Sequence, residues 1–156
     1  MQQMRKGGWR GVVLLIAGLL SSQFTLADSD SIGTIKTISG EVQVQRGAVT
    51  VTPAPGFALL AEDVVRTGRA STVGIVMRDS SVLSAGANSE LRLDAFRFDP
   101  LSQTGAMQTT LRKGRLSAIS GAIVKHSPEA VQYKTRTMTL GVRGTEFILE
   151  AEPGED

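Results

Sequence analysis

The sequence from Asp28 onward predicts an all-β fold: one compact domain of short strands, β-solenoid-like, with a β-sandwich as the alternative. Three observations predict it. Apolar and polar residues alternate with a period of two, as in "GEVQVQRG", where Val42 and Val44 share one face and Gln43 and Gln45 the other. Glycines at 33, 40, 47, 56, 68, 74, 86, 105, 114, 121, 141 and 144 cut the chain into runs of strand length. Helical periodicity is hard to find after Ala27.

Residues 1–27 stand apart from the rest. Arg5, Lys6 and Arg10 precede the apolar run Gly11 to Leu20, and Thr25-x-Ala27 supplies the small residues of a cleavage site. This is the pattern of a secretory signal peptide cut between Ala27 and Asp28. The run is short for a membrane span, which takes about 20 apolar residues. An uncleaved inner-membrane anchor, with Val12 to Leu26 as a tilted span, is the alternative, and membrane contact is expected only in that case. No twin arginine is present, so the general secretory route to the periplasm is expected. All three charges of the leader are basic. Without them the 15 acidic residues slightly outnumber the basic ones, which leaves no basic footprint for nucleic acid. Cysteine is absent, so an exported domain must hold together by its core, and residues 28–150 suffice for one.

Within that domain, "STVGIVMRD" aligns Val73, Ile75 and Met77 on one face, and "PAPGF" at 53–57 reads as a turn. "GFALLAED" and "KGRLSAIS" are the two stretches that could hold a helical turn. In "SELRLDAFRFD", Leu91 and Leu93 occupy odd positions and Phe96 and Phe98 even ones. Such a slip requires a bulge or corner near Asp94 and Ala95. A similar face switch separates Val131 and Tyr133 from Met138, Leu140 and Val142. "DPLSQTG" reads as a solvated loop, and residues 151–156 as a frayed acidic tail. Residues 63–93 suggest three successive strands, without a repeat of fixed period.

"IGTIKTISGEVQVQRG", "AEDVVRTGRASTVGIVMRDSSVLSAGANSELRLD", "LRKGRLSAIS" and "LGVRGTEFILE" occur in the order found in FecR-like periplasmic domains, which this chain resembles over residues 32–150. The resemblance implies an all-β, solenoid-like domain without catalytic activity. It also implies envelope signalling of the kind known from iron-transport regulators that relay a surface signal to a sigma factor. Those regulators carry several dozen residues ahead of their membrane span, whereas ten precede the apolar run here, so no direct sigma-factor contact is expected. A second periplasmic docking module is not expected either. Ser80 stands in "RDSSVL" where the family usually has glycine, so that turn is expected to rely on Asp79.

The candidate residues are structural rather than catalytic. In "GVRGTEF", Arg143 lies between Gly141 and Gly144, with Thr145 following. Its planar five-donor guanidinium suits a clamp on Asp63 or Glu62 at a coil end, with ligand capture as the alternative. Asp63, Thr67 and Gly68 in "EDVVRTGRAS" suit side-chain-to-backbone bonds that stop a strand and open a turn, leaving Arg66 and Arg69 solvated. Arg112, Lys113 and Arg115 are expected around a tight turn at Gly114, facing water. His126 is the sole histidine and lacks partners for a triad, and no metal-ligand spacing occurs. No catalytic residue, metal or cofactor is therefore expected.

Two functions from different classes remain. The first is a non-catalytic periplasmic binding or scaffold module, contacting an envelope protein or polymer by strand addition at an open edge. The second is a glycan-binding or glycan-active protein using Glu41, Glu62, Asp63, Asp79, Glu90 or Asp94 along a β-groove. Sugar sites favour aromatic platforms, yet Trp9 lies in the leader and Tyr133 is the sole tyrosine, which ranks the glycan reading second.

Overall fold

Sixteen residues, Thr104–Ile119, form the longest strand of the computed structural model, which describes residues 30–144 and 146–152. The leader with its expected cleavage between Ala27 and Asp28, Thr145 and residues 153–156 lie outside the described residues. In chain order the strands are β1 Gly33–Ser39, β2 Val42–Arg46, β3 Val49–Val51, β4 Ala58–Leu59, β5 Val64–Thr67, β6 Thr72–Met77 and β7 Val82–Ala85. They continue with β8 Glu90–Asp99, β9 Thr104–Ile119, β10 Val131–Lys134, β11 Thr139–Gly141 and β12 Glu146–Ala151. A five-residue helix, α1 Ala122–His126, and a 3-10 turn at Pro128–Ala130 separate β9 from β10.

The all-β expectation holds. The strands join in one curled, largely antiparallel sheet, a half-barrel, in the order β3-β2-β5-β8-β9-β7-β6-β1-β4. To one side of this path β12 pairs antiparallel with β9, and β10 pairs parallel with β9 while carrying β11. Chain neighbours are often not sheet neighbours: β5 follows β4 but pairs with β2 and β8. The alternation of inward and outward residues that motivated both the solenoid-like and the sandwich expectations is present. Ile35, Val44, Leu59, Ile75, Leu83 and Leu91 are fully buried on the concave side. Burying each such side chain stabilises the fold by ~1.5–3 kcal/mol.

Two strands change face along their length. In β8 the inward set passes from Leu91 and Leu93 to Phe96, and the register with β9 shifts between Leu93 and Ala95, where the sequence required a bulge. In β9 the inward residues are Met107, Thr109 and Leu111, then Leu116 and Ala118. Parity flips between them because Glu90 faces Lys113 while Leu91 faces Leu111, which leaves Arg112 as the extra residue. Gly114 completes the bend at φ +89, with its Cα face pressed on Ser89. Beyond it β9 leaves β8 and runs between β7 and β12. The expected tight turn in "LRKGR" is thus a kink inside a continuous strand, although Arg112, Lys113 and Arg115 do face solvent.

The helical turns expected in "GFALLAED" and "KGRLSAIS" are not formed. Ala58 and Leu59 pair with β1, and Leu116 and Ala118 alternate inward between two partner strands. Pairing and burial override a weak local helical preference. The helix falls instead at Ala122–His126, where Ile123 and Val124 are buried. The switch after Tyr133 is made by a hairpin: Thr135 and Met138 close the turn between β10 and β11.

A Cβ at position 114 would come within 2.5 Å of the backbone Cα of Ser89, in a backbone conformation unfavourable to L-residues. Gly114→Ala is therefore expected to cost at least ~2 kcal/mol. Gly47, at φ +58 with no described residue within 4 Å of an added Cβ, isolates the backbone contribution. Gly47→Ala should cost only about 1 kcal/mol. Urea denaturation of both variants checks the difference.

Candidate functional site

Three buried polar junctions hold turns of the sheet: the first two lie where consecutive strands do not pair with each other, and the third closes the β6–β7 hairpin. The first is built on Asp63, which is fully buried. Arg46, at the end of β2, reaches it with a two-point fork: Nε donates to Oδ1 at 2.9 Å and Nη2 to Oδ2 at 2.8 Å. Nη2 also donates to the Ala58 carbonyl at 2.9 Å, and the guanidinium lies 5.5 Å from the centre of the Phe57 ring. The Leu60 N–H donates to Asp63 Oδ2 at 2.9 Å. A planar fork of this kind fixes orientation as well as charge.

The clamp expected from Arg143 is therefore made by a different arginine. Arg143 is exposed and has no hydrogen bond or ion pair with any described residue. Its neighbour Val142 is buried. The glycines near it are not sites of close approach among the described residues: a Cβ at Gly141 or Gly144 would meet no described residue within 4 Å. Gly144 accepts a hydrogen bond from Ser120 Oγ at 2.8 Å, and Thr145 lies outside the described residues.

The second junction joins Thr67, Ser89 and the kink of β9. Thr67 Oγ1 donates to the Gly86 carbonyl at 2.5 Å and accepts the Ser89 N–H at 2.8 Å. Ser89 Oγ accepts the Arg115 N–H at 3.0 Å, one residue beyond Gly114. Gly68 continues the turn, its N–H donating to the Glu41 carbonyl at 2.9 Å and its carbonyl accepting the Asn88 N–H at 3.0 Å.

Asp79 makes the third. Its Oδ1 accepts the Ser81 N–H at 3.0 Å and its Oδ2 the Ser81 hydroxyl at 2.8 Å. Ser81 Oγ in turn accepts the Gly121 N–H at 2.9 Å, and the Asp79 carbonyl accepts the Ala122 N–H at 2.8 Å. The β6–β7 turn is tied in this way to the start of α1. Ser80, where the resemblance has glycine, sits at φ 68 beside this carboxylate.

On the convex face, charges cross strands. Glu90 receives Arg66 Nε at 3.1 Å and Arg112 Nη1 at 2.9 Å, and Arg66 Nη1 also donates to Gln45 at 2.5 Å. Arg66, expected to be solvated, is half-buried in this cluster because cross-strand pairing sets it directly opposite Glu90. Arg69 is exposed. Burial alone would push the Glu90 carboxyl up, but the hydrogen bonds and charges of Arg66 and Arg112 together outweigh it and hold the group below its ordinary range. A shallow groove of about 300 Å³ lies beside this cluster, lined by Gln45, Glu62, Arg66, Arg92 and Arg112 among others. A larger open groove of about 790 Å³ combines Ile32, Phe96 and Phe98 with Arg78, Arg97 and Asp99.

Tyr133 is buried, stacked edge-on to Phe147 at 4.7 Å, and its hydroxyl has no hydrogen-bond partner among the described residues. Burial, reinforced by the Asp79 charge, pushes its pKa far up. His126 is exposed at the end of α1, its Nδ1 3.0 Å from the Ala122 carbonyl. Among the described residues no group of three or more His, Asp or Glu is placed to hold a metal ion.

Arg46 and Ser89 carry much of this geometry without having been singled out in the sequence, and Glu90, named there as a candidate acid of a β-groove, is instead held by two arginines. Ser89 and Gly114 had a visible signal in the parity change from Leu111 to Leu116. The Arg46–Asp63 fork had none, since it joins residues 17 apart that only the folded sheet brings together.

A family model described as "FecR protein" matches residues 63–155. No curated protein and no solved structure matches the chain.

Arg46→Ala leaves a buried carboxylate short of its fork, and is expected to lower stability by ~2–4 kcal/mol. Arg143→Ala should stay within about 0.5 kcal/mol of the parent. Parallel urea titrations compare them, and the reverse ranking would restore Arg143 as the clamp. Glu90 supplies a pH signature. A carboxyl whose folded pKa lies below its unfolded value contributes stability that is complete above the ordinary carboxylate range and disappears as pH falls through the lowered value. Between about pH 6 and about pH 3 the parent should therefore lose more stability than Glu90→Gln, as read from urea midpoints at each pH.

Proposed function

This chain belongs to the FecR family, and we propose on that premise that it is a non-catalytic periplasmic module of envelope signalling, related to iron uptake, that binds a protein by strand addition. The observation that carries the reading is the fate of the reactive side chains. Asp63, Asp79, Thr67, Ser81 and Ser89 are all buried and hydrogen-bonded to the fold. These five groups, which could have served acid-base or nucleophilic chemistry, are committed to turns. The FecR family is generally regulatory and non-enzymatic, which supports the same reading. A half-barrel is an open sheet, and open edges carry backbone donors and acceptors available to an extended partner.

Glycan binding is the weaker reading, because the sole tyrosine is buried and presents no stacking face. Among the described residues no helix is long and apolar enough to cross a membrane. The envelope location proposed here rests on the leader pattern and on the family.

Site-specific photo-cross-linking in living cells tests the proposal. A photoreactive residue at Val49 in β3 or Ile148 in β12 is expected to trap a discrete envelope protein, whereas one at Leu101, on the exposed loop between β8 and β9, should trap none. Recovery of the chain with cytosolic markers, adducts from Leu101 alone, or turnover of envelope oligosaccharides by the purified protein would each overturn it.

A further inference from the structure

Four strands, β3, β4, β11 and β12, have a single partner or lie at the end of the sheet path among the described residues. They are not equally open. β3 and β11 have three residues each and β4 has two, with Pro53 and Pro55 in the link from β3 to β4. Short edges and nearby prolines are the usual protection against unwanted pairing. β12 has six residues, Glu146–Ala151, with neither proline nor lysine, and pairs only with β9 among the described residues. Among the described residues it is the longest of these four edge strands.

Its side chains divide cleanly. Leu149 is buried and Phe147 half-buried on the inner side, while Glu146, Ile148 and Glu150 face out. Ile148 is 54% exposed and Ile119, opposite Glu146 on β9, is 46% exposed, which gives an apolar spot flanked by carboxylates. Arg115 lies 3.4 Å from Glu150, but both are well exposed. Glu152, the first residue after β12, adds a third acid.

We propose that β12 is the docking edge and that its partner is an extended protein segment presenting basic, apolar and basic residues at alternate positions. This deepens, and rests on, the strand-addition reading above. A strand laid beside β12 places every second side chain next to Glu146, Ile148 and Glu150, so opposite charge is favoured at the two ends and an apolar group in the middle. The residues between them extend the inner face over Phe147 and Leu149 and are apolar. A second copy of this chain is disfavoured by the same geometry. Two-fold antiparallel pairing centred on Ile148 sets Glu146 against Glu150 twice, and pairing centred on Leu149 sets Glu146 against Glu152.

The test titrates the purified protein with the peptide Lys-Val-Ile-Val-Lys and with Glu-Val-Ile-Val-Glu, following backbone amides by NMR and hydrogen exchange. The basic peptide is expected to protect alternate amides of β12, to bind at least about tenfold more tightly than the acidic one, and to weaken as salt rises. The double variant Glu146→Lys/Glu150→Lys, both positions being exposed, should keep the parent melting temperature and reverse the preference. Protection at β3, β4 or β11 would overturn the choice of edge and leave strand addition standing. Equal binding of both peptides would overturn the partner chemistry. Protection of no strand edge by either peptide, together with dimerisation through β12 in sedimentation, would overturn the proposal in favour of a second copy. Failure to protect any edge while a full-length envelope partner is still trapped at Ile148 would overturn the short-segment chemistry alone.

Discussion

The contact on which the fold turns is the close approach of Gly114 to Ser89. One long strand has to serve two neighbourhoods, β8 and β10 over its first part and β7 and β12 over its second. It can do so only by kinking, and the kink needs both a residue that tolerates φ +89 and a partner that binds the backbone it exposes. Ser89 is that partner: its hydroxyl takes the Arg115 N–H, and its own N–H is held by Thr67. The bulge at Arg112 shifts parity at the same point, so Leu111 and Leu116 both reach the core although an odd number of steps separates them. Without that shift, one half of the strand would turn its apolar set to water.

Parity is also what made much of the fold legible. Alternation identified Val42, Val44, Val73, Ile75 and Met77 as inward residues, all of which are buried. The break in alternation between Leu93 and Phe96 located a bulge to within a residue. Local pattern succeeds here because the side-chain period of a strand is fixed by the pleat, so an apolar residue out of phase must be compensated by the backbone. Which strand pairs with which is a different kind of information. β5 between β2 and β8, or β1 beside β6, depends on surfaces formed only after collapse, and a choice between solenoid and sandwich is a choice among such pairings.

The same distinction separates the two arginines. Arg143 drew attention because glycines flank it, a local signal, yet it is exposed and binds no described residue. Arg46 ends an ordinary alternating run and acquires its role from Asp63, which the fold brings to it across two strands and a turn. A buried carboxylate demands compensation whatever its sequence context. Burial of Asp63 and Asp79 follows from the turns they terminate, and their donors come from whatever elements the topology delivers: an arginine fork in one case, a serine and a helix start in the other. Sequence showed where such acids sit but not which donors would answer them.

This dependence on distant partners bears on where the folding unit begins. The family match opens at Asp63, the acid whose fork comes from Arg46, upstream of the match. β5 and β6, the first two matched strands, are paired along one side by β2 and β1. Ile35, Val42, Val44 and Leu59, also upstream, are fully or almost fully buried in the same core as Leu83 and Leu91. A segment starting at Asp63 would expose these strand edges, open the core on one side and leave a carboxylate in an apolar setting without its guanidinium. The physical unit therefore includes β1 to β4, upstream of the residues that the family model matches.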